Sequence, residues 1–203
     1  DEINRAPAKT QAALLEAMQE RQVTLEGETH VLERPFFVLA TQNPAEHEGV
    51  YPLPQAQLDR FGLRILVGYP DAETERRILA SHRGVRGVPR AVVDAAAIVA
   101  AQSALDDVTV ADELLAVLVA LAEHTRENEG VLLGASPRVG LDVLHLSRAR
   151  ALLQGRDHVL PDDLKALYAH ASNHRIQLTP QAEMRGLTPQ AVIHEALHAT
   201  QLV

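Results

Sequence analysis

The chain has 203 residues, of which 46% are hydrophobic but only 3% aromatic, so its core must be built mainly from Ala, Leu and Val. This composition excludes general disorder, and the absence of cysteine excludes disulfides and thiolate metal sites. A formal net charge of −8 argues against sequence-independent binding to nucleic acid, which depends on Lys and Arg. Because no apolar run approaches the roughly 20 residues of a membrane span and no signal-peptide pattern is visible, we expect a soluble, cytoplasmic protein.

The first third of the chain has a mixed α/β pattern. Residues 7–21 are predicted to form a helix, because Pro7 suits a first helical position and an apolar stripe follows it. A period-two pattern around Gly27 predicts a hairpin at about 22–33, with no fully apolar face, so it should project from the core. The apolar runs 36–40 and 62–70 predict two strands, the first buried on both faces and followed by a Thr-Gln-Asn-Pro turn.

After residue 70 the pattern becomes helical to the end of the chain. Proline at or near the first turn marks several helix starts. The predicted helices begin at 71 and then cover about 90–102, 110–126, 136–154, 161–174 and 188–200. We therefore expect an α/β part at 1–70, with an incomplete parallel sheet, followed by an all-α domain at 71–203.

Five polar residues stand at positions that suit phosphate chemistry: Asp1, Glu2, Asn43, Arg60 and Arg138. Each also has a simpler explanation. An acidic pair commonly decorates a helix start, an Asn before Pro shapes a turn, and an arginine beside an aspartate is common on surfaces. An arginine at a helix start is unfavourable with the helix dipole, and a bound anion would remove that penalty.

Four stretches, in order and at compatible spacing, resemble the MoxR family of AAA+ ATPases over nearly the whole chain. They are DEINRAPAKTQAALLEAMQERQVTL, FFVLATQNPAEHEGVYPLPQAQLDRF, GASPRV and VLPDDLKALYAHASNHRI. The resemblance implies a P-loop NTPase core with a helical lid, and it implies ATP and Mg²⁺ as cofactors. Under it, the hairpin at about 22–33 is an insert before sensor 1 that faces a central pore.

The resemblance also implies a role for each candidate residue. Asp1 would hold Mg²⁺ through water and Glu2 would polarise the attacking water, as in a Walker B pair. Asn43 resembles sensor 1, Arg60 an arginine finger that reaches the next subunit, and Arg138 sensor 2. Phosphoryl transfer needs these residue types because it depends on positioning and on neutralising the charge of the phosphate oxygens.

One family feature is absent from the sequence, namely the Gly-rich phosphate loop G-x-x-x-x-G-K-[ST]. We therefore expect this chain to be the C-terminal part of such an ATPase and to be inactive alone. The resemblance further implies a homo-oligomer, a hexamer, that remodels or activates a client. The implied partner is a client or a protein with a von Willebrand factor A-type domain, with no specific nucleic acid and no membrane span involved.

Two other functions fit parts of the sequence. The stretch HEALH at 194–198 matches H-E-x-x-H, so His194 and His198 would bind zinc with Glu195 as the general base of a metallopeptidase. A terminal amphipathic helix accounts for the same residues without metal. The second alternative is a non-catalytic helical module that binds a partner through residues 71–203.

Overall fold

The computed structural model describes residues 1–43, 49, 51–81 and 89–200. Its strands are β1 (Gln22–Leu25), β2 (Glu28–Val31), β3 (Val131–Leu133) and β4 (Gln177–Leu178). Its helices are α1 (Ala8–Glu20), α2 (Gln55–Leu58), α3 (Ala72–Ser81), α4 (Ala95–Ser103), α5 (Asp112–Glu127), α6 (Pro137–Leu153), α7 (Pro161–Ser172), α8 (Pro180–Met184) and α9 (Pro189–Ala199). No described helix is both long and apolar enough to cross a membrane.

The predicted hairpin is confirmed. Strands β1 and β2 pair antiparallel with Val23 opposite His30, and in the described part they form a sheet of their own. Glu26 and Gly27, at the tip, have φ values of 51° and 87°. Two successive residues with positive φ make the type I′ turn that joins twisted hairpin strands. The hairpin leans on α1, where the Thr24 hydroxyl donates to Glu16 Oε1 at 3.3 Å.

The two strands predicted from apolar runs are not formed. Residues 36–40 and 62–70 have no strand in the structure, and they do not pair with each other. Leu39 is 83% exposed and Val67 is 90% exposed, so neither run is buried. The expectation of a strand buried on both faces is therefore wrong for this chain. A buried strand requires neighbours on both edges and both faces, and no described element occupies those positions.

The hydrophobic core lies among the later helices. Leu121 of α5, Val143 of α6, Leu164 of α7 and Ile193 of α9 are each at most 1% exposed, and they belong to one cluster. In α5 the buried residues recur at the three- and four-residue spacing of one helix face: Leu114, Leu118, Leu121, Ala122 and Thr125. Neither α3 nor α4 contributes a buried residue. The packed core therefore begins close to Val108.

Three helix starts predicted from proline are confirmed, whereas Pro7 precedes α1, which begins at Ala8. Pro137, Pro161 and Pro189 are the first residues of α6, α7 and α9. Proline suits this position because the first backbone N–H groups of a helix have no partner within it. At α9 the Thr188 side chain also caps the helix by accepting from Ala191 N.

The prediction of only helices after residue 70 is wrong in one detail. Strands β3 and β4 form a short antiparallel pair with Val131 opposite Leu178, and Thr109 forms an isolated parallel bridge with His158. Strands as short as β3 and β4 cannot show the alternation of apolar and polar residues by which a strand is recognised in a sequence. These pairs connect the loops between helices, and Leu178 of β4 belongs to the hydrophobic core cluster.

Helices α6 and α7 are joined by a buried carboxylate. Asp163, 2% exposed, accepts from Arg150 Nε at 3.1 Å and from Arg156 Nη2 at 2.8 Å. It also accepts from Leu160 N, which caps the start of α7. Burial alone would raise the pKa of Asp163, but the Arg156 and Leu160 hydrogen bonds and both arginine charges outweigh it and lower the pKa.

The division at residue 70 stays a prediction, and two chains of different length test it. Residues 71–203 alone should be monomeric and melt cooperatively, because the cluster around Leu121 and Leu164 is retained. Residues 1–203 should self-associate, because they add exposed apolar side chains such as Leu39 and Val67. Light scattering and thermal melts measure both properties. A monomeric 1–203 beside an unfolded 71–203 would contradict the division.

Candidate functional site

The acidic pair and the Asn43 segment lie side by side. Glu2 N donates to Thr41 Oγ1 at 2.9 Å, and Ile3 N donates to Thr41 O at 3.0 Å. The Thr41 hydroxyl also makes a short hydrogen bond to Asp1 Oδ1. Asn43, two residues further on, is exposed and also has a bonding partner. The structure therefore brings together Asp1, Glu2 and the segment that ends at Asn43.

Glu2 has a backbone conformation that side chains rarely adopt. Its φ is 46° and its ψ is 56°, in the left-handed region, although it is not a glycine. Such a residue persists only when its surroundings hold it there, and strained residues of this kind cluster at functional sites. The Glu2 carboxylate forms an ion pair with Arg5 at 3.1 Å. The structure thus holds this carboxylate in a defined place beside Asp1.

The donor set around Asp1 fits Mg²⁺. The ion prefers carboxylate, hydroxyl and water oxygens, and it usually keeps several of its waters. The Asp1 carboxylate and the Thr41 hydroxyl are adjacent, and both residues are exposed. Asp1 would hold the ion, which when bound would neutralise charge on phosphate oxygens.

The second group of predicted residues lies around Asp59. Arg60 follows α2. Its neighbour Asp59 forms an ion pair with Arg138, in which Asp59 Oδ2 and Arg138 Nη1 are 3.8 Å apart. Asp59 also accepts from the Ser136 hydroxyl at 3.1 Å. In the described part of the chain the Arg60 guanidinium has neither an ion pair nor a hydrogen bond. Arg138 thus pairs with the residue before Arg60, whereas no described contact joins either arginine to Asp1 or Glu2.

Two residues that sequence analysis missed hold this second group in place. Arg175, 2% exposed, donates from Nη2 to Asp59 O at 2.7 Å, to Phe61 O at 3.0 Å and to Asp142 Oδ2 at 2.6 Å. His174 Nε2 is 2.7 Å from the same Phe61 carbonyl. A buried arginine cannot be recognised from the periodic spacing of apolar residues. The one sequence feature that could have indicated it is the adjacent histidine and arginine in the SNHRI stretch.

The zinc alternative lacks ligands. His194 Nε2 and His198 Nε2 are 3.2 Å apart on α9, while Glu195 accepts from Asn128 Nδ2 at 3.2 Å. Among the described residues no group of three or more His, Cys, Asp or Glu side chains could hold a metal ion. A zinc peptidase needs three protein ligands, so the geometry does not favour this function.

The environment of His174 predicts that the free energy of unfolding of this protein depends on pH. Burial and the charges of Arg175 and Arg64 lower its pKa, although the hydrogen bond to Phe61 O and the Asp59 charge act in the opposite direction. The carbonyl can only accept, so Nε2 carries the proton of a neutral ring. Below about pH 6.5 the unfolded chain binds a proton that the folded chain does not. The free energy of unfolding should then fall, by at most about 1.4 kcal/mol per pH unit.

The measurement is denaturant unfolding between about pH 7 and about pH 5.5. His174→Gln should lose less stability over this range than the unchanged protein, because its amide can still donate to Phe61 O and does not titrate. The matched control is His170→Gln, since His170 lies in the last turn of α7, shortly before His174, and is exposed. Equal slopes for the unchanged protein and His174→Gln would contradict the assignment.

The chain was compared with known protein families. Residues 1–63 match a model described as the ATPase family associated with various cellular activities (AAA), and residues 123–196 match the AAA lid domain. The chain is 40% identical to "Chaperone MoxR1" of Mycobacterium tuberculosis over 211 residues, which is all of this chain and 56% of that protein. It is 39% identical to "Uncharacterized protein YeaC" of Bacillus subtilis over 204 residues, again all of this chain and 64% of that protein.

A comparison with solved structures also finds an ATPase. A crystal structure of a "putative ATPase" from Cytophaga hutchinsonii superposes with a TM-score of 0.91 at 37% identity. That match covers 98% of this chain and 63% of the other. The chain spans between 56% and 65% of the length of the curated relatives it matches.

Proposed function

The chain belongs to the MoxR-type AAA ATPases, and from this membership we propose that it supplies the hydrolytic and sensing residues of an ATPase that remodels other proteins. The observation that carries the proposal is the grouping of the candidate residues in the structure. Asp1 and Glu2 meet the segment of Asn43, and Arg138 forms an ion pair with Asp59, the residue before Arg60. These are the residue types that phosphoryl transfer requires.

Each residue has a proposed task in ATP hydrolysis. Asp1 binds the magnesium ion of Mg-ATP, and Glu2 orients the attacking water and accepts its proton. Asn43 donates a hydrogen bond from its amide to that water or to the γ-phosphate. Arg138 contacts the γ-phosphate from the start of α6, where a phosphate offsets the unfavourable position of a cation.

Arg60 is proposed to act in the site of a neighbouring subunit. Its guanidinium has no ion-pair partner among the described residues, so it can reach a phosphate outside its own chain. A guanidinium placed on the transferring phosphoryl group neutralises the charge that develops there. This task requires a homo-oligomer, and we propose a hexamer.

The proposed work of the ATPase is chaperone-like. The relative "Chaperone MoxR1" supports this by its name and its 40% identity. The proposed partner is a client or a protein with a von Willebrand factor A-type domain, in the cytoplasm. The hairpin β1–β2 is the proposed contact to the client, because all of β2 is exposed and the hairpin joins no larger described sheet.

The arginine assignment predicts the behaviour of two variants of the full-length gene product. Arg60→Ala should lower the hydrolysis rate by roughly 10³-fold or more, while ATP binding stays nearly unchanged. Mixing it with Glu2→Gln should restore part of the activity, because some interfaces then combine an intact Arg60 with an intact Glu2. Steady-state hydrolysis and titration with a fluorescent ATP analogue measure these effects.

The control for this experiment is Arg64→Ala, which removes an exposed arginine from the same segment. It should hydrolyse ATP at nearly the original rate. If no mixture of Arg60→Ala and Glu2→Gln recovers activity, Arg60 does not act between subunits. If Arg60→Ala is fully active, Arg60 has no role in hydrolysis.

The hairpin assignment predicts a separation of activities. Replacing Glu28 and His30 by alanine should leave basal ATP hydrolysis intact, because both side chains are exposed. It should impair suppression of light scattering by a heat-unfolded model protein. The control is Glu20→Ala at the exposed end of α1. Loss of basal hydrolysis, or unchanged suppression, would contradict a client-binding hairpin.

A further inference from the structure

The carbonyl groups of the residues before and after Arg60 are held by the chain that follows α7. The carbonyl of Asp59 accepts from Arg175 Nη2 at 2.7 Å, and the carbonyl of Phe61 accepts from the same nitrogen at 3.0 Å. His174 adds a contact of 2.7 Å to Phe61 O. The backbone of residues 59–61 is therefore attached to the chain that follows α7. The Arg60 side chain between these anchors remains half-buried.

Asp59 is the charged part of this attachment. Its Oδ1 atom is 3.2 Å from Arg175 Nε and 3.1 Å from the Ser136 hydroxyl, while its Oδ2 atom is 3.8 Å from Arg138 Nη1. The Arg175 contact is an ion pair rather than a well-aligned hydrogen bond, because Nε has no partner by hydrogen-bond geometry. A buried guanidinium needs nearby negative charge, and Asp59 and Asp142 supply it.

The Ser136 side chain contacts Asp59 and does not cap its own helix. It is the residue before the first turn of α6, a position where serine side chains normally accept from the backbone N–H groups of the helix. Here the Ser136 side chain makes no capping hydrogen bond and donates to Asp59 instead. The helix start is thus left without a side-chain cap while the carboxylate gains a second donor.

We propose that Asp59 is a positioning residue for Arg60, and that Arg175 and Ser136 hold it so that Arg60 points toward the neighbouring subunit. This inference rests on the proposed role of Arg60 as a residue acting in trans. It adds that the lid, through Arg175, sets the place of that arginine. The Asp59 carboxylate acts on the backbone that carries Arg60 and does not itself touch the phosphate.

Two carboxylates give a matched pair of variants. Asp59 and Asp142 both neutralise Arg175, and their side chains are 26% and 30% exposed. Asp59→Asn and Asp142→Asn in the full-length gene product should therefore cause similar losses of thermal stability. Only Asp59→Asn should lower kcat strongly, by about 10- to 100-fold, as expected for a misplaced catalytic group. The dissociation constant for ATP should remain within about twofold.

Mixing experiments identify the site through which Asp59 acts. Mixed with Glu2→Gln, Asp59→Asn should recover activity, because an Asp59→Asn subunit keeps its own Glu2 and receives Arg60 from its neighbour. Mixed with Arg60→Ala it should not recover, because both variants damage the same contribution. Recovery with Arg60→Ala but not with Glu2→Gln would overturn the proposal, since Asp59 would then act through Arg138 in its own subunit. Recovery with neither variant would also overturn it, since Asp59 would then act only on folding.

Two further outcomes keep this proposal separate from the proposed function. If Arg60→Ala is inactive but Asp59→Asn and Asp142→Asn are equally active, the positioning role fails and the role of Arg60 stands. If Arg60→Ala is fully active, the proposed function of Arg60 fails first. Ser136→Ala covers the case in which Asp59→Asn does not fold. It should show a smaller loss of kcat with unchanged ATP binding, and an unchanged kcat would overturn the proposal.

Discussion

The structure depends on a buried guanidinium at the junction between the helical core and the segment that carries Arg60. Arg175 is 2% exposed, yet it lies beside two carboxylates and donates to two backbone carbonyls. Removing a charge from water costs several kcal/mol, so such a residue is stable only where opposite charge and acceptors are fixed around it. Residues 59–61 supply part of that surrounding. Residues 59–61 thus take their position from Arg175.

Sequence reasoning located the helical core because its signals are local. The proline residues that begin α6, α7 and α9, and the three- and four-residue spacing of leucines in α5, depend only on near neighbours in the chain. The runs at 36–40 and 62–70 were harder, because apolar residues predict a strand only if neighbouring strands are present. The structure leaves Leu39 and Val67 exposed for that reason.

The resemblance named Asp1, Glu2, Asn43, Arg60 and Arg138 as site residues, and their roles stay predictions. It did not name the residues that hold their segments in the structure. These are Thr41, Asp59, Ser136 and Arg175. They were not found, because each acts through a contact to a distant part of the chain. Thr41 is separated from Asp1 by 40 residues, and Ser136 from Asp59 by 77. Only tertiary structure brings such pairs together.

The charges around Asp59 suggest how nucleotide and lid would be linked. Asp59 and Asp142 together balance Arg175 and Arg138. The Arg175 pair is buried and fixed, whereas Arg138 is 46% exposed and 3.8 Å away from the carboxylate. An exposed pair of this kind is worth about 1 kcal/mol or less, so under the proposed role of Arg138 a phosphate would compete for it at little cost. If Arg138 left, Asp59 would remain with Arg175 and Ser136. The segment that carries Arg60 would therefore keep its anchor in both proposed states of the site.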